Sequence, residues 1–353
     1  MIRKAFIFSL LLICFLLSVN HLSGSEITDG NIRLVLHERT GSFSLYHMSN
    51  NGTMRYEPLF NNRNPGASFT SISVDGNVFK LGDRQFRPRY ERFNGDPSFV
   101  FEHLNIEVRQ VFKPIKTPNS NIVNGIVITY TVKNNAERDY LTGLKILIDT
   151  ELGEGRGRVP FITGSRIISD EFLTQGSSGE RFWISRGQTV SLMGSILNPL
   201  DPNVKLPDFI HFANWRRLNN SRWALRYSQG RSFNNDSAVC YIYEPEKLES
   251  GKTLTYSIIL STEDIVWYNS APVRTVSPAN VNPGNTGSGN VSSGINVTEI
   301  INEARAEAQR NNANADTYTL IRLQELLNRF IAGDISLSER DLMEIENAIE
   351  RYR

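Results

Sequence analysis

The chain has 353 residues, with 38 Lys and Arg against 37 Asp and Glu and a formal net charge of +1. Loss of residues 1–25, which carry Arg3 and Lys4 and no acid, takes the charge from +1 to −1. So small a net charge excludes nucleic acid or an anionic membrane as the main partner.

The first element in chain order is a secretory signal. Arg3 and Lys4 precede the apolar run "AFIFSLLLICFLLSV", residues 5–19, which is too short for a permanent span. Ser23 and Ser25 hold the small-residue positions of a cleavage site before Glu26. The mature chain is therefore expected outside the inner membrane, in the periplasm or on the cell envelope, and not integral to the membrane once cleaved. Cys240 is then its one cysteine, in the apolar run "SAVCYIY", which reads as an inert core thiol. With no intrachain disulfide, the domain must rest on burial.

From Ile32 to Leu260 the pattern is β almost throughout. "IRLVLH" and "SFSLYH" flank a short turn, and "SFTSISV" and "VFKL" flank Asp75-Gly76-Asn77, a tight-turn signature. "SFVFEH", "IEVRQVF", "GIVITYTVKN" and "YLTGLKILID" follow. A long loop then runs on to Arg181. "RFWIS", "TVSLMGSI", "FIHFANW", "RWALRY", "SAVCYIY" and "TLTYSIIL" complete the set. Many short strands without alternating helices predict a mainly β fold: a large antiparallel two-sheet β-sandwich over residues 26–270, of supersandwich size.

Residues 271–296 are rich in Pro, Gly, Ser and Asn, with Arg274 as the only charge, and read as a flexible linker. A random coil of that length spans roughly 28 Å. Residues 297–353 read as a small α-helical tail. Asn296 with Glu299, and Ser336 with Glu339, have capping-box spacing. Leu342, Ile345 and Ile349 line one face of its last segment. The tail is expected to form a small bundle, or to meet a protein partner or a second copy of the chain.

Chemistry-bearing residues are few. Asp149 and Glu151 share one strand face, with carboxylates about 6–7 Å apart, a separation open to general acid/base work. The same spacing suits an ordinary solvated strand end. Lys145 is on that face, and Arg156 and Arg158 follow in a glycine-rich stretch. His37, His47, His103 and His211 make no metal-binding spacing, so no metal and no cofactor is expected. His37 and His47 flank the first hairpin, where they could face each other. Trp183, Trp215 and Trp223 gather near Tyr227, Arg231 and Phe233. They suit either a sugar-stacking platform or a filled core.

Two segments carry a resemblance. "DTELGEGRGRVPF" supplies Asp149, Thr150, Leu152, Gly153, Glu154, Gly157, Pro160 and Phe161. Later come Phe212 to Trp215, Gly230 to Phe233, and Asp236 to Val239. This pattern resembles an uncharacterised bacterial exported β-sandwich domain found in envelope and surface proteins. The first hairpin is similar, more weakly, to galactose-mutarotase-like sandwiches. The resemblance implies a fold and a compartment. Gly155 and Arg156 replace an Asn-Asp of the pattern, so a cation held there would meet a guanidinium instead. If the two segments lie together, Arg231 and Asp236 are placed to pair with Asp149 or Arg156.

The reading that follows is an exported, non-enzymatic binding or scaffolding protein with no catalytic residue. Trp215, Trp223, Arg231 and Asp236 are its ligand-binding candidates, and 297–353 is its docking segment. The alternative is a carbohydrate-binding or mutarotase/glycosidase-like protein, with a glycan as ligand and Asp149 and Glu151 as acid and base.

Overall fold

The computed structural model describes residues 25–49, 54–61, 63–150, 152, 154, 161–164, 166–201, 204–220, 223, 225–232, 236–262, 267, 301–302, 305, 323 and 339–352. The signal segment and the 271–296 linker lie outside the described residues, as does most of the helical tail.

The chain is mainly β, and the strand pairing among its described residues is antiparallel. Strands β1 (Ser25–Asp29), β2 (Ile32–His37), β3 (Ser42–Met48) and β4 (Tyr56–Pro58) form a four-stranded meander. They are followed by β5 (Phe69–Val74), β6 (Asn77–Lys80), β7 (Pro88–Phe93), β8 (Asp96–His103), β9 (Ile106–Ile115), β10 (Gly125–Asn134) and β11 (Tyr140–Asp149). Next are β12 (Phe161–Thr163), β13 (Ile167–Ile168), β14 (Phe172–Gln175), β15 (Phe182–Arg186) and β16 (Ser191–Ser195). Strands β17 (Phe209–Asn214), β18 (Ser237–Leu248) and β19 (Thr253–Ser261) end the body. The six-stranded sheet has the order β14-β17-β18-β11-β5-β6, and the nine-stranded sheet the order β13-β12-β15-β16-β19-β10-β9-β8-β7. Helix α1 (Trp215–Leu218) follows β17, and α2 (Glu339–Tyr352) lies in the tail.

Local sequence explains the tight turns. Asp75 and Gly76 both take positive φ, 48° and 80°, and so do Asn94 and Gly95, at 53° and 89°. That is the mirror-image turn whose twist matches a hairpin, which is why Asx-Gly pairs sit there. Alternation then sets the faces. In β2, Ile32, Leu34 and Leu36 are buried while the residues between them are half-buried. The central strands β11 and β18 are buried on both faces and read as nearly continuous apolar runs.

The main core lies between the six- and nine-stranded sheets, with Ile146, Ile148, Phe212 and Tyr241 opposite Phe112, Ile128, Trp183 and Ile258; the four-stranded meander adds Leu34, Leu36 and Leu45. Polar bridges cross it: Thr70 Oγ1 and Gln110 Nε2 each donate to the Tyr130 hydroxyl at 2.9 Å, and Trp183 Nε1 donates to the Tyr241 hydroxyl at 2.6 Å. A second apolar cluster covers the outer face of the six-stranded sheet, and a third, with Trp267, covers the outer face of the nine-stranded one.

Three differences from the sequence reading have physical causes. The sandwich has a third sheet, because the first four strands pair among themselves. The long loop expected before Arg181 contains β12, β13 and β14, too short to show a periodicity. "RWALRY" supplies no strand among its described residues. Both neighbours of β17 are already taken, by β14 and β18. The segment lies on the sheet instead, with Leu225 buried and Tyr227 packed beside it.

Candidate functional site

Asp149 ends β11 on the outer face of the six-stranded sheet, opposite Ala238 of β18. It is 4% exposed. Its backbone N–H donates to Ser68 Oγ at 2.9 Å, Asn61 Nδ2 donates to its carboxylate at 3.3 Å, and the Asn61 N–H donates to its carbonyl at 3.2 Å. These contacts fasten a strand end to the 61–68 turn. Glu151, Arg156, Arg158 and Phe233 lie outside the described residues.

The two resembling segments do meet at this corner. Asn214 pairs with Ser237 across β17 and β18. Glu154 accepts from both the N–H and the hydroxyl of Ser237, at 2.6 and 2.9 Å. Trp215 donates its N–H to the Asp236 carbonyl at 2.7 Å and its indole N–H to the Ala67 carbonyl at 2.8 Å. Arg231 serves through its backbone, its carbonyl accepting from the Glu171 N–H at 2.8 Å. The contacts between the segments include the Asp149–Ala238 strand pairing, the Glu154–Ser237 hydrogen bonds and the Phe161–Phe212 ring contact at 5.1 Å, while a pairing of Arg231 or Asp236 with Arg156 falls outside the described residues.

The described residues among 215–231 roof the outer face of the six-stranded sheet. Beneath the roof sits an ionic layer that spacing alone did not bring together. Lys145 Nζ donates to the Trp223 carbonyl at 2.6 Å and lies 4.7 Å from the centre of its indole ring. Trp223 in turn donates its indole N–H to Glu244 at 3.3 Å. A Cβ on Gly143 would stand 2.7 Å from that indole, so the glycine makes the seat. Burial pulls the Lys145 ammonium down and pushes Glu244 up to about 7, each opposed by the other's charge. Burial likewise raises the Cys240 thiol to about 11, which keeps it inert at neutral pH. At the roof's other end Glu171 Oε1 lies 2.8 Å from His211 Nε2 and accepts from Arg217 Nε at 2.8 Å, while burial holds the His211 ring below its ordinary value. Trp215 and Trp223 are parts of this roof, half-buried. Trp183 is 0% exposed in the main core.

An open cleft lies elsewhere, where the first sheet meets one end of the nine-stranded sheet. Its volume is about 460 Å³, and Asn31, His47, Ser120, Arg186, Gln188 and Ser191 are among its lining residues. Asn124 braces the wall. Its Oδ1 accepts from the Thr117 N–H at 2.8 Å, and its Nδ2 donates to the hydroxyls of Thr117 and Thr262 at 2.9 and 3.1 Å. Thr189, on the β15–β16 turn, donates to the Glu57 carboxylate. His47 is 6% exposed, and its Nε2 has no partner among the described residues. Sequence reasoning set His47 facing His37. The register pairs Ile32 with His47 and His37 with Ser42, so the two rings stand at opposite ends of the hairpin. Among the described residues no group of three or more His, Cys, Asp or Glu side chains gathers at metal-binding distance.

Burial lowers the His47 ring to about 4 from 6.5. With the folded value below the unfolded one, the unfolded chain takes up the proton first as pH falls. This group therefore removes stability between about pH 6.5 and pH 4. His47→Gln is expected to flatten that part of a stability–pH curve by about 1–2 kcal/mol at pH 5, measured by urea unfolding. An unchanged acid limb would show that the ring is protonated in the fold.

No protein-family model matches this chain, and no curated protein matches it. Among solved structures, a galactose mutarotase related enzyme from Lactobacillus acidophilus aligns with a TM-score of 0.42 at 10% identity, covering 68% of this chain and 97% of its own. A GalM/aldose epimerase homologue from C. elegans gives 0.41 at 9% identity, covering 67% and 98%. A galactose mutarotase-like protein from Lactobacillus casei gives 0.37 at 10%, covering 68% and 99%. These solved structures are similar to the chain at 9–10% identity.

Proposed function

We propose that the protein is an exported, non-enzymatic binding protein of the cell envelope whose β body takes a small, uncharged, hydroxyl-rich ligand, of mono- or disaccharide size, in the His47 cleft. The observation that carries this reading is the cleft's lining. About 460 Å³ falls in the range of small-ligand sites, roughly 300–1,000 Å³. Amide and hydroxyl side chains dominate the wall, Arg186 is the one formally charged residue among its described lining, and the imidazole at its back is neutral at pH 7. Such a wall matches hydroxyls better than it matches an ion. Asp149, the acid/base candidate within the described residues, is tied into a turn. The tryptophans named as a sugar platform serve as a roof.

In this reading the tail joins the body to a protein partner or a second copy. Its helix α2 is amphipathic: Ile345 and Ala348 are buried, while Met343 is 60% exposed.

One experiment with two arms tests the proposal. Calorimetric titration of the full chain with uncharged mono- and disaccharides is expected to find a binder, and Gln188→Trp at the exposed rim is expected to weaken it at least about tenfold, the scale of 1.4 kcal/mol. Asp149→Asn should leave it intact. Absence of any binder, or a binder indifferent to Gln188→Trp, would remove the cleft from the account. In the second arm, a chain ending at Ser270 should keep the sugar and lose the protein partner. Retention of every partner by that chain would dismiss the tail as a docking element.

A further inference from the structure

The roof over the six-stranded sheet carries more positive charge than the layer beneath it uses. Residues 216–231 contain Arg216, Arg217, Arg222, Arg226 and Arg231 and no acid. Short contacts gather the described ones on one surface. Arg217 donates from Nε to the Arg226 carbonyl at 3.2 Å and from Nη2 to Ser228 Oγ at 2.8 Å, and the Arg231 N–H reaches the Ser228 carbonyl at 3.4 Å. At the rim Arg166 lies 4.5 Å from the centre of the Phe172 ring, beside Glu171, whose N–H donates to the Arg231 carbonyl. Arg166, Arg216, Arg226 and Arg231 are exposed.

Few acids answer them. Glu171 is 4% exposed and already serves His211 and Arg217. Glu154 is taken up by Ser237. Asp170 and Asp236 are the described acids that remain at the roof's edge, beside Ser232 and Trp215. The surface is therefore cationic. The tail has the opposite sign: residues 297–353 hold eleven acids against seven arginines, and helix α2 five against two. Ile345 and Ala348 of α2 are buried within the chain, so the side left to a partner is the charged one, where Met343 is 60% exposed.

Roof and tail also leave the body on different sides. Trp267, the last described residue before the linker, is buried against Ile184, Met193 and Ile259 on the outer face of the nine-stranded sheet, while the roof covers the outer face of the six-stranded one. A chain's own tail would have to turn back round the edge of both sheets. A tail on one face and a complementary surface on the other is the geometry of a head-to-tail contact between copies.

We propose that the arginine roof of one copy is the docking surface for the acidic helix α2 of a second copy. A lone exposed ion pair contributes little, but guanidinium groups clustered on one surface can each hold a carboxylate through two parallel hydrogen bonds. The inference rests on the docking role given to the tail above and names its partner; the saccharide cleft takes no part in it.

The test is sedimentation equilibrium of the full chain. Self-association is expected to rise with concentration, and its constant to fall at least about tenfold between roughly 0.05 and 0.3 M NaCl as the charges are screened. The full chain carrying Arg226→Glu and Arg231→Glu should be monomeric, and so should one carrying Glu346→Lys and Glu350→Lys. Mixing these two variants, or joining all four substitutions in one chain, should restore association, which a merely structural role for either set would not do. Four results would overturn the proposal: a chain monomeric at every concentration, association indifferent to salt, association that survives the roof reversal, or no rescue on mixing. Survival of the roof reversal together with loss in the tail variant removes the roof and leaves the tail as a docking element, and sugar titration reads the cleft separately. Should the roof pair fail to fold, Arg216→Glu on α1 decides, because unchanged association there also overturns the proposal.

Discussion

Trp183→Ala is expected to destabilise the protein by about 3–5 kcal/mol, the cost of emptying a large aromatic site in a close-packed core. The ring is 0% exposed, stands edge-on to Phe161 at 5.7 Å, and donates its indole N–H to the Tyr241 hydroxyl at 2.6 Å across the two sheets. Three losses coincide: apolar burial, a ring contact, and a buried hydroxyl left without its donor. The site cannot collapse easily, because Gly194 on the neighbouring strand already sits where a Cβ would stand 2.3 Å from the ring. Trp183→Phe separates the contributions, since it keeps most of the volume and loses only the donor. It should cost well under half as much. Chemical unfolding with matched slopes measures both. A cost below about 1 kcal/mol for Trp183→Ala would mean that the ring does not join the sheets as described.

Lys145→Ala is expected to cost about 3 kcal/mol at pH 8, because it leaves the Glu244 carboxylate buried without its cation. The pH dependence identifies the cause. Glu244 is already raised to about 7 against 4.5 in the unfolded chain. A carboxyl raised by folding contributes stability that is full below pH 4.5 and is lost as pH rises through its folded value. Without Lys145 that folded value climbs further. The penalty of the substitution should therefore be largest above pH 7 and shrink toward pH 5. Lys145→Met, which keeps the stem, should show the same pH trend with a smaller offset. The indole of Trp223 reports the roof directly, and its emission should shift to the red as the roof loosens. A penalty independent of pH would show that packing, not charge, holds this layer.

Much of the architecture was readable in the residues, and particular elements show why. The Asp75-Gly76 turn fixed a hairpin by backbone chemistry alone. The runs of β11 and β18, nearly continuous in buried residues, suit the middle of a sheet, where both faces are covered. Short strands were invisible: Ile167–Ile168 is two residues long, below any period. "RWALRY" has the composition of a strand, but both sides of β17 are taken by β14 and β18, and its described residues lie over the sheet as part of a roof. The candidate sites fared differently. Adjacent carboxylates and clustered tryptophans drew attention because they are close in sequence. The ionic layer assembles Lys145, Glu171, His211 and Glu244, which are close only after β11, β14, β17 and β18 align. The His47 cleft joins a meander to a turn some 140 residues later, and no local pattern encodes that. Gly143 was the one available signal, an unexplained glycine in the middle of an apolar strand.

The last hairpin of the body, β18 with β19, takes an interior place in each large sheet. β18 lies between β17 and β11, and β19 between β16 and β10. The six-stranded sheet cannot close until residue 248 is in place, nor the nine-stranded one until residue 261. That makes the last strands, rather than the first, the point at which a truncated chain is left open to proteases.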